Sequence, residues 1–363
     1  MGAVTLETIA RELGVSKMTV SNAYNRPDQL GPELRARILE TARRLEYPGP
    51  NPLASTLRKG RTGTFGVIFD DPLSYAFTDP AAVLFLQGMA EACELRSTGL
   101  LLIPSAPGSD EAVATVQSAL VDGFAIYSDF EGDRRAPAAY ERGLRTVLID
   151  TPPVPGYPWV GIDERAAARL AAKHLLQLGH RRLGVVTLPF STDGYCGWVE
   201  EKRTRVRGYQ LTRERLSGYR EEVLAAGVAW DTVLVYEQQP HSVDSGRRAA
   251  AALLDRAERP SAILAMSDEL AIGVLLAARE RGIDVPGGLS IVGFDDAPSA
   301  VHSAPQLTTI HQPLVEKGRV AARLLLDPET RDERVELPVE LKVRASTAPA
   351  PTQEGGAHDG DPL

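Results

Sequence analysis

Between Leu6 and Leu13 the apolar residues Leu6, Ile9, Ala10 and Leu13 fall on one side of a helix. Thr5 stands where a hydroxyl can cap that helix, and Gly14 where the chain must stop and turn. Ser16 is placed to cap a second helix, with Val15 and Val20 as its core contacts. Lys17, Met18, Ser21 and Asn22 then point away from that core. A third helix follows: Pro32 suits its first turn, and Leu34, Ile38, Ala42 and Leu45 recur on one face with Arg35, Arg37, Arg43 and Arg44 outside. Two short helices joined by a tight turn form a helix-turn-helix, whose second helix enters the major groove of DNA. A helical hairpin that touches no DNA is the plain alternative for this stretch.

The pattern changes at residues 48–62. Pro48, Pro50 and Pro52 make a stiff link, and Asn51 can cap a short helix that runs to about Arg58. That helix is too short to stand alone and needs a packing partner. From Thr64 onward, short apolar runs alternate with helical patterns. Strands are expected at Phe65–Phe69, Leu100–Pro104, Gly123–Tyr127, Thr146–Asp150, Arg182–Thr187, Val233–Glu237, Ala262–Met266 and Ser290–Phe294. Helices are expected at about 80–97, 109–121, 164–178, 205–226, 242–257 and 268–281, with Asp268 as the cap of the last. Continuous apolar strands separated by helices describe an α/β body with parallel sheets. Its length favours two similar subdomains over one. The stretch 348–363, rich in Pro, Gly and Asp, reads as a disordered tail.

A net charge of −8 looks wrong for a DNA binder until its distribution is examined. Residues 1–61 hold ten Lys and Arg against six Asp and Glu, and the remainder holds 30 against 42. A basic head is thus attached to an acidic body, and salt confines phosphate attraction to within roughly 8–10 Å. The two cysteines, Cys93 and Cys196, lack metal-ligand spacing. The six histidines are scattered, and no nucleophile elbow or phosphate loop is present. These features point away from an enzyme, a metal or a cofactor. With no apolar run long enough for a bilayer and no secretory stretch at the N-terminus, the expected compartment is the cytoplasm, with association to the nucleoid.

Several motifs in order carry a resemblance. They include Val4-Thr5, Ile9-Ala10, Gly14-Val15-Ser16, Thr19-Val20-Ser21 and Asn25 in the head. The body adds Leu178–Gly184, Arg215–Tyr219, Ser267–Gly273, Gly282–Pro286, Ser290–Asp296 and Leu307–Ile310. In this order they resemble the lactose-repressor (LacI/GalR) family of bacterial transcription regulators over residues 4–347. The resemblance implies an all-α helix-turn-helix head (1–47), a hinge helix (48–62) and an α/β periplasmic-binding-protein-like core (63–347). That core would hold two parallel-sheet subdomains, one of about 63–161 plus 293–327 and the other of about 162–292 plus 328–347. The chain departs from the family at the hinge, where Pro48 and Gly49 put one extra residue before Pro50. Asn22 stands where Arg is frequent, Met18 is unusual, and no leucine heptads follow the core.

For DNA, Lys17, Met18 and Asn22 are the expected base readers. Lys suits guanine O6/N7, Asn suits adenine N6/N7, and Met offers only apolar contact. Thr5, Ser16, Ser21 and Asn25 suit phosphates, which set register without reading sequence. By resemblance, Leu57 is the wedge of the minor groove, with Ala54 small enough for two hinges to pack side by side and Arg58 beside them. That mechanism requires a homodimer on double-stranded operator DNA. For the effector, Asp295 and Arg215 are the leading candidates by resemblance, followed by Asp150, Ser267 and Asp70. Tyr75 and Phe77 occupy a loop where the family places apolar contacts, and His241 a place where some members stack an aromatic ring. Carboxylates and guanidinium suit sugar hydroxyls through paired hydrogen bonds. The expected function is a dimeric, ligand-controlled repressor with a sugar effector and induction as the mode. A purine or nucleoside effector is the alternative, and a transporter's solute-binding protein is the distant one.

Overall fold

In the computed structural model, which describes residues 4–49, 60–69, 72–104, 109–128, 130–327, 329–330 and 333–351, the N-terminal helices begin and end where their caps dictate. Helix α1 (Leu6–Leu13) starts at Thr5, whose hydroxyl accepts from Thr8 N–H, and stops at Gly14 with φ 66°. Only glycine adopts that left-handed conformation without a Cβ penalty. Helix α2 (Lys17–Asn25) starts at Ser16, whose Oγ accepts from Thr19 N–H at 3.0 Å. Helix α3 (Pro32–Arg44) opens on proline. Ile9, Ala10, Val20, Ala23, Ile38 and Ala42 form the buried core of this unit, a small one for three helices. Ser21 departs from expectation. It is buried, and the Asn25 amide donates to its carbonyl at 3.0 Å and to its Oγ at 3.2 Å.

By contacts the chain divides into Met1–Thr62 and Gly63–Leu363. The segment 50–59, with the expected hinge helix and its residues Ala54, Leu57 and Arg58, lies outside the described residues, as does Asp70.

The second unit contains two sheets. The first is wholly parallel, in the order β2 (Gly99–Ile103), β1 (Thr64–Phe69), β3 (Gly123–Tyr127), β4 (Arg145–Ile149), β5 (Trp159–Gly161) and β12 (Arg334–Glu336). The other runs β7 (Gly197–Trp198), β8 (Leu234–Glu237), β6 (Leu183–Thr187), β9 (Ala262–Ala265), β10 (Ser290–Asp295), β11 (Thr308–His311) and β13 (Glu340–Lys342). Its central strands are parallel, and only the two edge pairings are antiparallel. Covered faces explain the continuous apolar strands: β6, β9 and β10 are buried at every residue.

Helices cover both sheets. The first sheet is flanked by α4 (Pro80–Glu94), α5 (Asp110–Ser118), α6 (Arg135–Glu141) and α12 (Leu314–Leu326), and the second by α7 (Glu164–Gln177), α8 (Gln210–Ala225), α9 (Val243–Leu254), α10 (Asp268–Glu280) and α11 (Pro298–His302). Helices α4 and α12 touch backbone to backbone. A Cβ on Gly88 would stand 1.8 Å from the Val315 carbonyl oxygen, and one on Gly318 would stand 2.0 Å from that of Phe85. This close approach fixes how α12 lies on the first sheet.

The structure relocates several expected boundaries. Residues 293–311 belong with the second sheet, because β11 pairs with β10 from Val292↔Thr308 to Asp295↔His311. The chain crosses back only at Gln312-Pro313. It crosses last after Glu336, since β12 pairs with β5. The helix expected from residue 205 begins at Gln210, after a 3-10 turn at Arg203–Arg205 and an extended link. Ser267, not Asp268, caps α10; the Asp268 carboxylate instead accepts from Ala297 N–H and the Thr309 hydroxyl. Ala348–Pro351, expected to be disordered, is docked at its start: Ala348 N–H donates to Ser290 Oγ at 3.1 Å, and Ala350 N–H to the Leu178 carbonyl at 2.8 Å. Its backbone groups find partners on the second subdomain, which outweighs a loop-like composition.

Candidate functional site

The outer face of α2 carries Lys17 and Met18, both exposed, with Met18 at 67%. Asn22 is half-buried on the same helix. Thr5 and Ser16 are exposed but already serve as helix caps, which ties their hydroxyls to the first turns of α1 and α2. Ser21 faces inward and braces Asn25. The head therefore presents two free side chains at the start of α2, with helix N-termini beside them, where backbone N–H groups attract phosphate.

A second constellation lies in the cleft between the two sheets of the body. Asp150 follows β4 and Asp295 ends β10, so the two carboxylates reach the cleft from opposite subdomains at the carboxyl ends of parallel strands. Both residues take positive φ, 52° and 113°, an unusual backbone for a side chain and typical of strained functional turns. Arg215, on α8, is 4% exposed. Its Nε donates to Glu164 Oε2 at 2.7 Å, its Nη1 to the Met266 carbonyl, and its guanidinium carbon lies 3.6 Å above the Phe294 ring. These groups, with Asp79, Tyr127, Gln312 and Ser267, line an inner chamber of about 80 Å³.

A wider outer chamber of about 540 Å³ adjoins it, lined by uncharged residues such as Pro72, Pro189, Tyr209 and Thr192. Tyr75 and His241 border both. Tyr75 Oη lies 2.8 Å from His241 Nδ1, and His241 Nε2 lies 2.6 Å from Ser267 Oγ. The imidazole thus bridges the two hydroxyls, one ring nitrogen donating and the other accepting. Asp79, the cap of α4, stands 3.5 Å from the same ring. The cleft is closed further out by Glu131 N–H donating to the Gly208 carbonyl at 3.3 Å and by Glu131 paired with Arg213 at 3.4 Å.

Burial dominates the electrostatics. It pushes the Asp295 carboxyl up to about 7; Arg215 and the Gln312 hydrogen bond oppose this, while Asp79 and Glu164 add to it. Burial likewise lowers the His241 pKa, which the Asp79 carboxylate partly offsets. Burial also disfavours the charge on Arg215, but the carboxylates of Glu164 and Asp295 outweigh it and hold the guanidinium protonated. Behind the chamber Lys317 is fully buried. Its Nζ donates to Asp150 Oδ2 at 2.5 Å and to Gln312 Oε1 at 2.7 Å, and Gln312 donates to Asp295 Oδ1 at 2.5 Å.

Of the expected ligand residues, Tyr75, Asp150, Arg215, His241, Ser267 and Asp295 converge on the inner chamber. Phe77 does not. It is 66% exposed at the end of a 3-10 turn, where Ala76 takes the inward position. Asp79, Glu164, Gln312 and Lys317 were not foreseen. Asp79-Pro80 has the signature of a helix start, which could have placed that carboxylate beside the cleft. Lys317 lies one helical turn from Leu314 and from Val320 and Ala321 on an apolar stripe. A lone charge on such a stripe signals a buried partner.

Residues 172–347 match the periplasmic binding protein-like domain family. An HTH-type transcriptional regulator of Mycobacterium tuberculosis is 41% identical over 327 residues, which cover 89% of this chain and 90% of that protein. The HTH-type transcriptional regulator IpsA of Corynebacterium glutamicum is 38% identical, covering 95% and 98%. Among solved structures, a complex of the transcriptional regulator CelR with cellobiose is 30% identical, with a TM-score of 0.67, and covers 94% of this chain and 99% of that one. A helix-turn-helix head on a two-sheet binding core, matched along nearly its full length by such relatives, makes this chain a member of the LacI family of HTH-type transcriptional regulators.

Proposed function

We propose that this regulator is a dimeric repressor that reads its operator with α2 and is released from it by a neutral, hydroxyl-rich small molecule of the sugar class, held in the inner chamber. One observation carries the effector reading: carboxylates from opposite subdomains, Asp150 and Asp295, meet Arg215 in a single buried chamber. Paired acceptors and a guanidinium fork suit vicinal hydroxyls. The balance of charge supports an uncharged ligand. Asp79, Asp150, Glu164 and Asp295 outnumber Arg215 and Lys317, and Arg215 is already committed to Glu164. A phosphorylated ligand would meet acid in excess. The cellobiose held by CelR is consistent with this class.

Lys17 and Met18 support the DNA reading, being exposed at the start of the groove-entering helix. By the family resemblance, Leu57 would be the minor-groove wedge of each hinge, with Ala54 small enough for two hinges to pack side by side. Leu95 and Leu101, exposed at the end of α4 and on the edge strand β2, are apolar surface that a second copy can cover.

The test is a thermal-shift screen of neutral sugars, sugar phosphates and nucleosides, followed by gel retardation of the gene's own upstream fragment with each hit. Neutral sugars should stabilise the protein and release the fragment. Stabilisation by nucleosides or phosphates alone overturns the effector assignment, and a sugar that tightens retardation overturns induction.

A further inference from the structure

We propose that Lys317 is a positioning residue of the effector site: without touching the ligand, it fixes the Asp150 carboxylate in place and, through Gln312, aims Asp295. The proposal rests on the inner chamber being the effector site.

Three observations support it. First, the Lys317 ammonium is completely buried, and its two described partners both belong to the chamber, one directly and one through a single amide. A buried ammonium with no purpose there is costly, and Met or Leu would fill the same stripe without that cost. Second, Asp150 uses only one oxygen for Lys317. Its Oδ1 is buried and has no hydrogen-bond partner among the described residues. An orphaned carboxylate oxygen beside the chamber is an acceptor waiting for a donor, as a ligand hydroxyl would be. Third, the bonded chain Asp150–Lys317–Gln312–Asp295 runs through the place where the subdomains join. Gln312 lies in the second crossing. Gly161, at the first crossing, places its would-be Cβ 2.9 Å from Asp150 Oδ1, and its carbonyl accepts from Leu337 N–H of the third at 2.8 Å.

The geometry gives Lys317 two roles. Its ammonium pairs with Asp150 Oδ2 and so fixes the rotamer of that carboxylate, leaving Oδ1 turned to the chamber. Its second bond fixes the Gln312 carbonyl oxygen, so the Gln312 amide must point at Asp295. The two ligand-facing carboxylates are thereby set relative to each other across the crossings.

The test uses the full-length parent, Lys317→Met, and Lys317→Met/Asp150→Asn, which leaves no unpaired buried carboxylate should the single variant fold poorly. The probe is the neutral sugar with the largest thermal shift in the screen above. At neutral pH, Lys317→Met should bind it about thirty-fold more weakly. The ratio of parent to variant affinity should also change between about pH 5.5 and about pH 8.5, because the variant's buried carboxyl groups lack the neighbouring cation. In melts without sugar, the deficit of Lys317→Met should widen over the same range, because a carboxyl with a raised folded pKa loses stability as pH rises. The double variant should show no such widening, yet still bind the probe weakly. Parent-like affinity in either variant overturns the proposal, as does a pH-independent ratio. If no neutral sugar binds the parent, the sugar reading fails separately, and the melts alone decide: a deficit equal at both pH values overturns the role of Lys317.

Discussion

Lys17 and Met18 project from α2 into solvent, whereas Arg215 and Asp295 in the cleft are buried and already bonded to their neighbours. On the proposed reading, the two recognition surfaces of this LacI-family regulator thus meet their partners under opposite conditions. DNA arrives with its own dense charge and ordered groove, so flexible exposed side chains can adapt to it, at the cost of salt sensitivity. A small neutral effector brings no field. Its site must shield polar groups from solvent to be selective, and most polar groups held there need partners within the protein. Hence Arg215 leans on Glu164, Asp295 on Gln312, and Asp150 on Lys317. Changes in the cleft should therefore cost folding stability as well as binding, and changes on α2 should cost binding alone.

Arg215→Ala tests this contrast most severely. It leaves Glu164 buried without its cation, and removing one partner of such a pair costs about 3–5 kcal/mol. Urea denaturation should show that loss, and calorimetry should show no sugar binding. Unchanged stability would mean that the cleft is not held together by its own charges. Ile9→Ala places a comparable cavity in the head, with a cost of about 2–5 kcal/mol in a small core. Operator retardation should disappear while the main melting transition and sugar binding persist. A simultaneous loss of both would erase the distinction between the units.

Lys17→Ala should weaken operator binding by about 1–3 kcal/mol with no shift in melting temperature. A fall in stability would place Lys17 among the structural residues. Asp295 offers a pH test. Its folded pKa is raised to about 7, so the folded protein holds this proton more tightly than the unfolded chain does. The stability it contributes is complete below about pH 4 and is lost as pH rises through about 7. Melting of the parent should decline relative to Asp295→Asn across that window, and parallel curves would contradict the burial argument. Tyr75→Phe, which removes one hydrogen bond across the cleft, should cost only about 0.5–1.5 kcal/mol. Solution scattering of the ligand-free protein should detect a slightly more open body.

The sequence by itself determined what depends on neighbours along the chain. Thr5, Gly14 and Ser16 set the ends of the head's helices because capping is a local hydrogen-bond problem. The apolar runs from Phe65 to Phe294 located eight strands because the central strands, buried on both faces, are mostly apolar. The tertiary structure alone decided what depends on distant partners. Strands of two or three residues, such as β5, β7 and β12, carry too little pattern to be read and exist only because a neighbouring strand lies beside them. Ser21 turned inward because Asn25 and the packing of three helices required it, although its polarity pointed outward. In the cleft, the leading charged residues, Asp295 and Arg215, were legible as motifs. Glu164, Gln312 and Lys317 were not, since each acts by meeting a residue at least five, and as many as 167, positions away. Spacing along a chain records helices and strands; the pairing of buried charges is recorded only where the crossings bring them together.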